Sequence, residues 1–260
     1  MKQLFNLLLI LLLGVQFLSS QIIKEFPIAV GSEAASALSA AFDGTNYLVP
    51  ILGDANSEYT LTVQFISKTG ELSGNRIALN AYGPVAPMAV FDGTNYLVVW
   101  QDVEHHLYAR FLSPSGNWQG DAVLIATDVI FDLRPFNVSY SGSNFFVAYV
   151  KSDFGLYGQL LDKSGNLIGS SFFINNFGIT NPQNSSSKEF NMASDGTNYL
   201  IVWFNHGGDS SNSILGQFVG KNGTLVGNAF TIDPPSPDHN PVSLIFDGNK
   251  YVISYDICFN

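Results

Sequence analysis

The stretch that decides the fold is Phe91–Gln101, which reads FDGTNYLVVWQ. Four other segments repeat this phrase: FDGTNYLVPIL from Phe42, YSGSNFFVAYV from Tyr140, SDGTNYLIVWF from Ser194 and FDGNKYVISYD from Phe246. The shared glycines lie 49, 49, 54 and 52 residues apart and are Gly44, Gly93, Gly142, Gly196 and Gly248. Because self-similarity at a fixed period marks a repeat architecture, the chain is built from units of about fifty residues.

A second phrase follows each of the first four copies. It reads QFISKTGELSGN from Gln64, RFLSPSGNWQGD from Arg110, QLLDKSGNLIGS from Gln159 and QFVGKNGTLVGN from Gln217. Its first glycine stands where a hairpin with a G1-type bulge needs a left-handed residue. In the first phrase, the Asp-Gly pair allows a positive φ at glycine, and the Asp side chain can accept hydrogen bonds from nearby backbone N–H groups. Each unit therefore contains two hairpin turns.

Each unit predicts four strands. The second, of type NYLVVW, is a short apolar run rich in β-branched and aromatic residues, which indicates a strand buried on both faces. No helix of ordinary length is predicted after residue 20. Four-stranded units of this length are typical of a β-propeller, in which blades pack against their neighbours around a central channel. A β-helix is the main alternative, but its repeats are much shorter.

The repeats also predict the number of blades. Four complete blades are expected, at residues 37–80, 86–126, 135–176 and 188–234. Residues 241–260 supply the first two strands of a fifth, and EFPIAV at Glu25–Val30 resembles the fourth strands of the other units. We therefore predict an all-β, five-bladed β-propeller in which an N-terminal strand at 21–31 completes the last blade and protects its edge. The last unit has no recognisable third strand, so either that blade has three strands or the sequence ends within its last repeat.

The two phrases resemble the repeat of secreted, largely uncharacterised bacterial-type β-propeller proteins. The resemblance rests on FDGTNYLVVW and on the S-x-x-G turn with a second glycine four residues on, and it covers nearly all of the chain after residue 20. It implies a fold and carries no catalytic residues. The chain departs from its own consensus at Ser141, Lys250 and Ile51, which weakens a turn or core position without implying a function.

Residues 1–20 have the pattern of a secretory signal peptide. Lys2 supplies a positive charge, and the run Leu4–Leu18 is interrupted by polar residues and is shorter than the roughly 20 apolar residues of a membrane span. We predict cleavage near Ser20-Gln21, a secreted, extracellular domain at 21–260 and no further membrane segment. An uncleaved signal anchor is the alternative, although no basic cluster marks a stop-transfer end.

The composition excludes several classes of function. Acidic residues outnumber basic ones 21 to 11, so nucleic acid would have to bind against the protein's own field. One Cys and four His provide neither a disulfide framework nor a Cys-rich zinc site. His105-His106 follows Asp102 and Glu104, but adjacent side chains in an extended segment point in opposite directions and rarely share one ion. We therefore expect no metal and no other cofactor.

Two sets of repeated residues have a functional and a structural interpretation. The turn aspartates could form a ring of metal ligands, although each has a sufficient role in capping its own turn; they are Asp43, Asp92, Asp195 and Asp247. The aromatic residues that end the second strands favour packing between blades, but such rings also stack on sugars, so Trp100 and Trp203 are candidate ligand-binding residues.

Residues outside the repeat concentrate in the connections that lead into the first strands. These connections open onto one mouth of the channel in a propeller, and they contain Glu33, Asp132, Arg134, Glu189, Asp238 and His239. A mouth lined in this way would bind a glycan or a protein surface, with Asp132, Arg134, Glu189 and His239 as its candidate ligand-binding residues. The alternative is a glycoside hydrolase of the five-bladed arabinanase type, in which Asp132, Glu189 and Asp238 act as general acid and base.

The sequence also contains sites of modification. In a eukaryotic source, Asn184 and Asn222 would be N-glycosylation acceptors in predicted loops, whereas the acceptor Asn137 falls on a first strand, where burial disfavours a glycan. Cys258 is an odd cysteine in an exported chain, and the sequence leaves open whether it is buried, free or joined to another molecule.

Overall fold

The structure is a computed structural model that describes residues 39–54, 57–79, 81, 85–130, 135–176, 190–205, 213–233 and 243–255. These residues form strands, turns and bends and contain no helix, as the repeat pattern predicted. In this part of the chain, no helix is long and apolar enough to cross a membrane. The predicted signal peptide, the predicted closing strand at 21–31 and Cys258 lie outside the described residues.

Four antiparallel sheets of four strands, called blades 1 to 4, follow one another along the chain, each with its strands in sequence order. Blade 1 consists of β1 Ala41–Phe42, β2 Asn46–Asp54, β3 Ser57–Ser67 and β4 Leu72–Leu79. Blade 2 consists of β5 Val85–Phe91, β6 Tyr96–Gln101, β7 Leu107–Leu112 and β8 Trp118–Ala126. Blade 3 consists of β9 Phe136–Tyr140, β10 Phe145–Val150, β11 Gly155–Leu161 and β12 Leu167–Asn176. Blade 4 consists of β13 Phe190–Ser194, β14 Asn198–Asn205, β15 Ser213–Gly220 and β16 Leu225–Asp233.

A fifth sheet, blade 5, has two strands among the described residues, β17 Ser243–Phe246 and β18 Tyr251–Ser254. The first strands of consecutive blades lie side by side, from β1 to β5, β9, β13 and β17. The blades are therefore arranged radially, with their first strands innermost. The described residues form four four-stranded sheets and one two-stranded sheet, and they do not show the closed ring that the sequence predicted.

The hydrophobic core lies between the blades. Leu97, Val99 and Ala109 of blade 2 pack on Val138 and Val147 of blade 3, and the other neighbouring blades pack in the same way. All six residues of β6 and all six of β10 are buried, because each of these strands is covered on both faces by an adjacent blade. This confirms the prediction for the NYLVVW-type strands.

The Asp-Gly turns have the predicted chemistry. Asp92 Oδ1 accepts hydrogen bonds from the backbone N–H groups of Thr94 and Asn95, both at 2.7 Å, and Gly93 has a φ of 88°. Asp43, Asp195 and Asp247 make the same pair of bonds in their own turns. The carboxylates are therefore used in turn capping, as the structural interpretation predicted.

In blades 1 to 4, a β-bulge interrupts the pairing of the third and fourth strands. The register shifts at the repeated position occupied by Gln64, Arg110, Gln159 and Gln217. The buried Gln159 side chain donates from Nε2 to the carbonyls of Leu160, Ile168 and Gly169 at 3.0 to 3.3 Å, and Gln64 and Gln217 bond their own bulges in the same way. Arg110 replaces the amide with a bond of 2.8 Å from Nε to the Gly120 carbonyl. The Gln or Arg that begins the second repeated sequence phrase therefore binds the backbone of the bulge through its side chain.

Neighbouring blades are also joined by a hydrogen bond between a tyrosine hydroxyl and a turn. Tyr96 on blade 2 donates to the Asn46 carbonyl of blade 1 at 3.2 Å. Tyr199 donates to Asn144 at 2.7 Å, and Tyr251 donates to Asn198 at 3.3 Å. We call this contact the tyrosine latch, because it fixes one blade against the turn of the blade before it.

Candidate functional site

The two ends of the blades differ in kind. One end, called the tight-turn end, holds the short turns between first and second strands and between third and fourth strands. The other, called the variable end, holds the connections from second to third strands and from each blade to the next. The connections at the variable end differ in length and composition and are residues 55–56, 80–84, 102–106, 127–135, 151–154, 177–189, 206–212 and 234–242.

Side chains at the tight-turn end are engaged in bonds that build the scaffold. Besides the turn aspartates, Lys163 donates from Nζ to the Asp92 carbonyl at 3.1 Å, and Nζ lies 3.7 Å from Asp92 Oδ2. Asn144 Nδ2 donates to the Lys221 carbonyl of blade 4 at 3.1 Å. The side chains named here therefore serve the scaffold at this end.

The variable end between blades 2 and 3 holds the connection that contains Asp132 and Arg134. Its two ends are fixed on one strand residue, because the Ile130 N–H donates to the Val150 carbonyl and the Val150 N–H donates to the Pro135 carbonyl, both at 2.9 Å. Residues 131–134 are not described, but both of their attachment points are held at the variable end.

Gln101 supports the same connection from blade 2. Its Nε2 donates to the carbonyls of Val129 and Ile130 at 2.9 and 3.0 Å, and the side chain is fully buried. Its Oε1 has no hydrogen-bond partner among the described residues. Gln101 therefore fixes the path of the chain into residues 131–134.

The hairpin between β6 and β7 brings three ionisable side chains together. Ligand atoms of Asp102, Glu104 and His106 lie within 4.8 Å of one another. Asp102 Oδ1 accepts hydrogen bonds from the backbone N–H groups of Glu104 and His106 at 2.9 and 2.8 Å, and Asp102 Oδ2 lies 3.3 Å from His106 Nδ1. His105 turns the other way, with its Nδ1 3.0 Å from the Val129 carbonyl. The two histidines therefore have different partners, in a turn where His105 has a φ of 68° rather than in the extended segment expected from the sequence.

Trp100 and Trp203 are not accessible platforms. Both side chains are buried, Trp100 beside Leu61 and Leu79 of blade 1 and Trp203 between blades 3 and 4. A ring that binds sugar by stacking needs one open face. The structure therefore corrects the ligand-binding interpretation of these tryptophans in favour of packing.

The sequence reasoning missed two aromatic residues that are half-exposed at this end. Tyr108 stacks on Trp100 with ring centroids 5.9 Å apart, and Tyr157 stacks on Tyr149 at 6.3 Å. Burial and the nearby carboxylates of Asp102 and Glu104 raise the pKa of Tyr108. The signal was the Leu-Tyr pair near the start of the third strand in both units, within LYARFL and GLYGQLL.

Tyr157 has polar neighbours of both charges. Its hydroxyl donates to Asp153 Oδ2 at 2.8 Å, and this hydrogen bond raises the pKa of the tyrosine. Lys151 Nζ lies 4.8 Å from the centre of its ring. Each of the two rings is thus bordered by groups that can donate or accept hydrogen bonds.

Most candidate residues from the sequence fall outside the described part of the chain. These are Glu33, Asp132, Arg134, Asn184, Glu189, Asp238 and His239. Asn222 is exposed in the turn before β16, at the tight-turn end, where its Oδ1 accepts a hydrogen bond of 2.7 Å from the Thr224 hydroxyl. Asn137 is half-buried on β9 and pairs with Ala148.

No protein-family model and no curated protein matches the sequence. Solved structures share its fold. A mutant of AofleA from Arthrobotrys oligospora has a TM-score of 0.54 at 12% identity, over 86% of this chain and 60% of that chain. SapL1 lectin in complex with alpha methyl fucoside has a TM-score of 0.53 at 14% identity, over 88% of this chain and 74% of that chain. A neuraminidase-like protein from A/bat/Guatemala has a TM-score of 0.52 at 10% identity, over 82% of this chain and 61% of that chain. This likeness shows an all-β fold of the propeller type.

Proposed function

We propose that the chain is a secreted β-propeller that binds a glycan, or a protein surface, at its variable end. The observation that carries the proposal is the contrast between the two ends. The tight-turn end uses its polar groups in bonds that recur from blade to blade, whereas the variable end has connections of unequal length beside half-exposed aromatic rings. Variable loops on a rigid scaffold are a common place for recognition.

The chemistry of the variable end suits a sugar. A sugar presents C–H surfaces, which stack on aromatic rings, and hydroxyls, which need donors and acceptors. Tyr108 has Asp102, Glu104 and His106 close by, and Tyr157 has Asp153 and Lys151. Asp132, Arg134, Glu189 and His239 belong to connections at the same end and would complete the binding surface. The fucoside complex of SapL1 lectin supports the proposal only as an example of the fold in a sugar-binding protein.

The same proposal includes the finer architecture. Residues 1–20 would be removed on export, and the mature domain would form five blades, the last of them completed by residues 21–31. The free edge of β18 among the described residues supports this arrangement, because each second strand of blades 1 to 4 pairs on both sides. Asn184 and Asn222 would accept N-linked glycans in a eukaryotic secretory pathway.

A glycoside hydrolase is the second candidate. It is favoured by the location of Asp132, Glu189 and Asp238 in three connections that all belong to the variable end. Inverting hydrolases place their two carboxyl groups about 6.5–9.5 Å apart, and retaining ones about 5–5.5 Å. The candidate therefore predicts release of reducing ends from a polysaccharide and loss of that activity in Asp132→Asn, Glu189→Gln or Asp238→Asn.

A glycan array probed with the mature protein tests the proposal. Retention of a defined group of glycans, with no new reducing ends, is the result expected of a binding module. Turnover of a bound glycan would assign the hydrolase instead. Folded protein that retains no glycan and captures no protein ligand would contradict the proposed function.

A further inference from the structure

Among the described residues, blades 1 and 5 each have one face that is not covered by a neighbouring blade. On blade 5, Val252 is 39% exposed, whereas the residues at the same repeat position, Leu48, Leu97, Phe146 and Leu200, are at most 3% exposed. On blade 1, Tyr47 is 41% exposed, whereas Tyr96, Phe145 and Tyr199 at its repeat position are fully buried. These two faces, which we call the seam, carry apolar residues at the repeat positions that are buried between blades elsewhere.

The tyrosine latches between neighbouring blades show which kind of turn a tyrosine at the position of Tyr47 contacts. Tyr96 lies against the Asn46 carbonyl and the Asp43 carboxylate of blade 1, and Tyr251 lies against the Asn198 carbonyl and the Asp195 carboxylate of blade 4. Each tyrosine thus meets the fourth and the first residue of a D-G-x-N turn on the preceding blade. Tyr47 is the corresponding tyrosine of blade 1, and no described residue accepts a hydrogen bond from its hydroxyl.

A matching turn is present on blade 5. Asp247 and Lys250 are the first and fourth residues of its turn, and the Asp247 carboxylate already caps it through the N–H groups of Asn249 and Lys250 at 2.8 Å. Beside this turn, Ile245 and Val252 present an apolar face to pack against the face of blade 1 that carries Phe42 and Tyr47. The first strands of consecutive blades lie side by side, from β1 to β17.

We propose that Tyr47 closes the ring as a fifth tyrosine latch, by donating to the Lys250 carbonyl beside the Asp247 carboxylate of blade 5 in the same chain. The proposal rests on the five-bladed arrangement given above and adds the contact that locks it. The two faces are tethered in one molecule, which gives them a high effective concentration and favours closure within the chain over pairing between chains. Closure would also bury Val252 and Phe42.

Cross-linking tests the seam directly. In a Cys258→Ser background, which removes the one native cysteine, the pair Tyr47→Cys and Lys250→Cys is treated with a short bismaleimide. The matched control pair is Asn198→Cys and Tyr251→Cys, whose side chain and turn are in contact in the structure. We expect both pairs to give an internally linked monomer. A linked dimer from the Tyr47 and Lys250 pair alone would assign the face to a second copy, and no link beside a reactive control would show an open seam; either result overturns the proposal.

The latch hydroxyl is tested by Tyr47→Phe against Tyr96→Phe. If Tyr47 donates at the seam, removing its hydroxyl lowers the melting temperature by about 2–4 °C, as removal of one buried hydrogen bond does in a domain of this size. An unchanged melting temperature for Tyr47→Phe, beside a loss for Tyr96→Phe, would contradict the latch. A closed seam in a protein that binds no glycan would overturn the proposed function and leave this inference intact.

Discussion

The Tyr199 hydroxyl donates a hydrogen bond of 2.7 Å to the backbone carbonyl of Asn144, 55 residues earlier and on the preceding blade. Burial raises the pKa of Tyr199 to about 12, so the hydroxyl keeps its proton and remains a donor across the physiological range. The bond connects a strand to a turn whose own shape is set by Ser141 and Gly142. One repeated tyrosine therefore couples local turn geometry to the packing of two blades.

Loss of this hydroxyl should destabilise the protein without changing its fold. We expect Tyr199→Phe to lower the free energy of unfolding by about 1 kcal/mol, because the hydrogen bond between its hydroxyl and the partly buried Asn144 carbonyl is lost. Thermal unfolding followed by circular dichroism measures the change. Tyr108→Phe is the control, since no described residue hydrogen-bonds that hydroxyl; an equal loss in both variants would count against the latch.

The buried side-chain amide of Gln159 should stabilise the folded protein by binding the backbone of its bulge. Gln159→Leu leaves three backbone carbonyls without their side-chain donor, and we expect a loss of about 1–3 kcal/mol in chemical denaturation. Gln159→Arg should recover part of that loss, because Arg110 binds the equivalent bulge of blade 2. Gln119→Leu, an exposed change on β8, should stay within about 0.5 kcal/mol of the wild type. A Gln159→Leu protein as stable as the wild type would contradict this role.

A side chain at Gly158 should destabilise the protein while Phe146 is present. A Cβ added at Gly158 would lie 2.6 Å from Phe146 Cζ and 3.0 Å from Phe172 Cζ. We expect Gly158→Ala to cost about 1–3 kcal/mol through overpacking. Blade 2 has Leu97 and Ala109 at the positions of Phe146 and Gly158, so Phe146→Leu should reduce the cost of Gly158→Ala. Additive effects in the double-mutant cycle would show that the two positions do not share this volume.

Turn aspartates should make the protein sensitive to acid. Burial alone would raise the pKa of Asp195. Hydrogen bonds from the N–H groups of Asn198 and Thr197 and from the Tyr251 hydroxyl outweigh burial and hold this pKa below its ordinary value. A lowered pKa in the folded state gives stability that is present above the ordinary carboxyl pKa of about 4 and is lost as pH falls through the folded pKa.

Asp195→Asn keeps an acceptor for the turn but removes this titration. We therefore expect a shallower loss of stability below about pH 4 in Asp195→Asn than in the wild type. Denaturant midpoints measured across that pH range report the slope, with Asp121→Asn, an exposed change on β8, as the control. The same slope in all three proteins would exclude Asp195 as a contributor to acid unfolding.

The repeat made most of the fold predictable. Asp92 and Gly93 specify a turn through local bonds and a positive φ, and this turn recurs in each unit with Ser141 replacing the Asp in blade 3, so the strand order and both hairpins followed from the sequence. The tyrosine latch was not predicted, because it depends on which turn lies opposite a strand in the neighbouring blade. Phe145 illustrates this: it lacks the hydroxyl, and Lys163 binds the Asp92 turn from the same blade instead.

The candidate site was predictable only in part. The variable connections were identified because they depart from the repeat, but which rings are exposed depends on packing. Trp100 and Tyr108 are both aromatic residues near the end of a strand, yet Trp100 is buried against blade 1 and Tyr108, which stacks on it, is only partly buried. The repeat period of the sequence does not by itself show which of these two rings is buried.

The glycan array, read with variants of the two ends, tests the central claim that recognition occurs at the variable end. Tyr108→Ala and Tyr157→Ala change half-exposed rings at that end, and Lys221→Ala changes an exposed side chain at the tight-turn end. The account predicts that binding of the glycans retained by the wild type falls at least about tenfold, or roughly 1.4 kcal/mol, in one or both tyrosine variants and is unchanged in Lys221→Ala. Binding that survives both tyrosine changes and is lost in Lys221→Ala would contradict it.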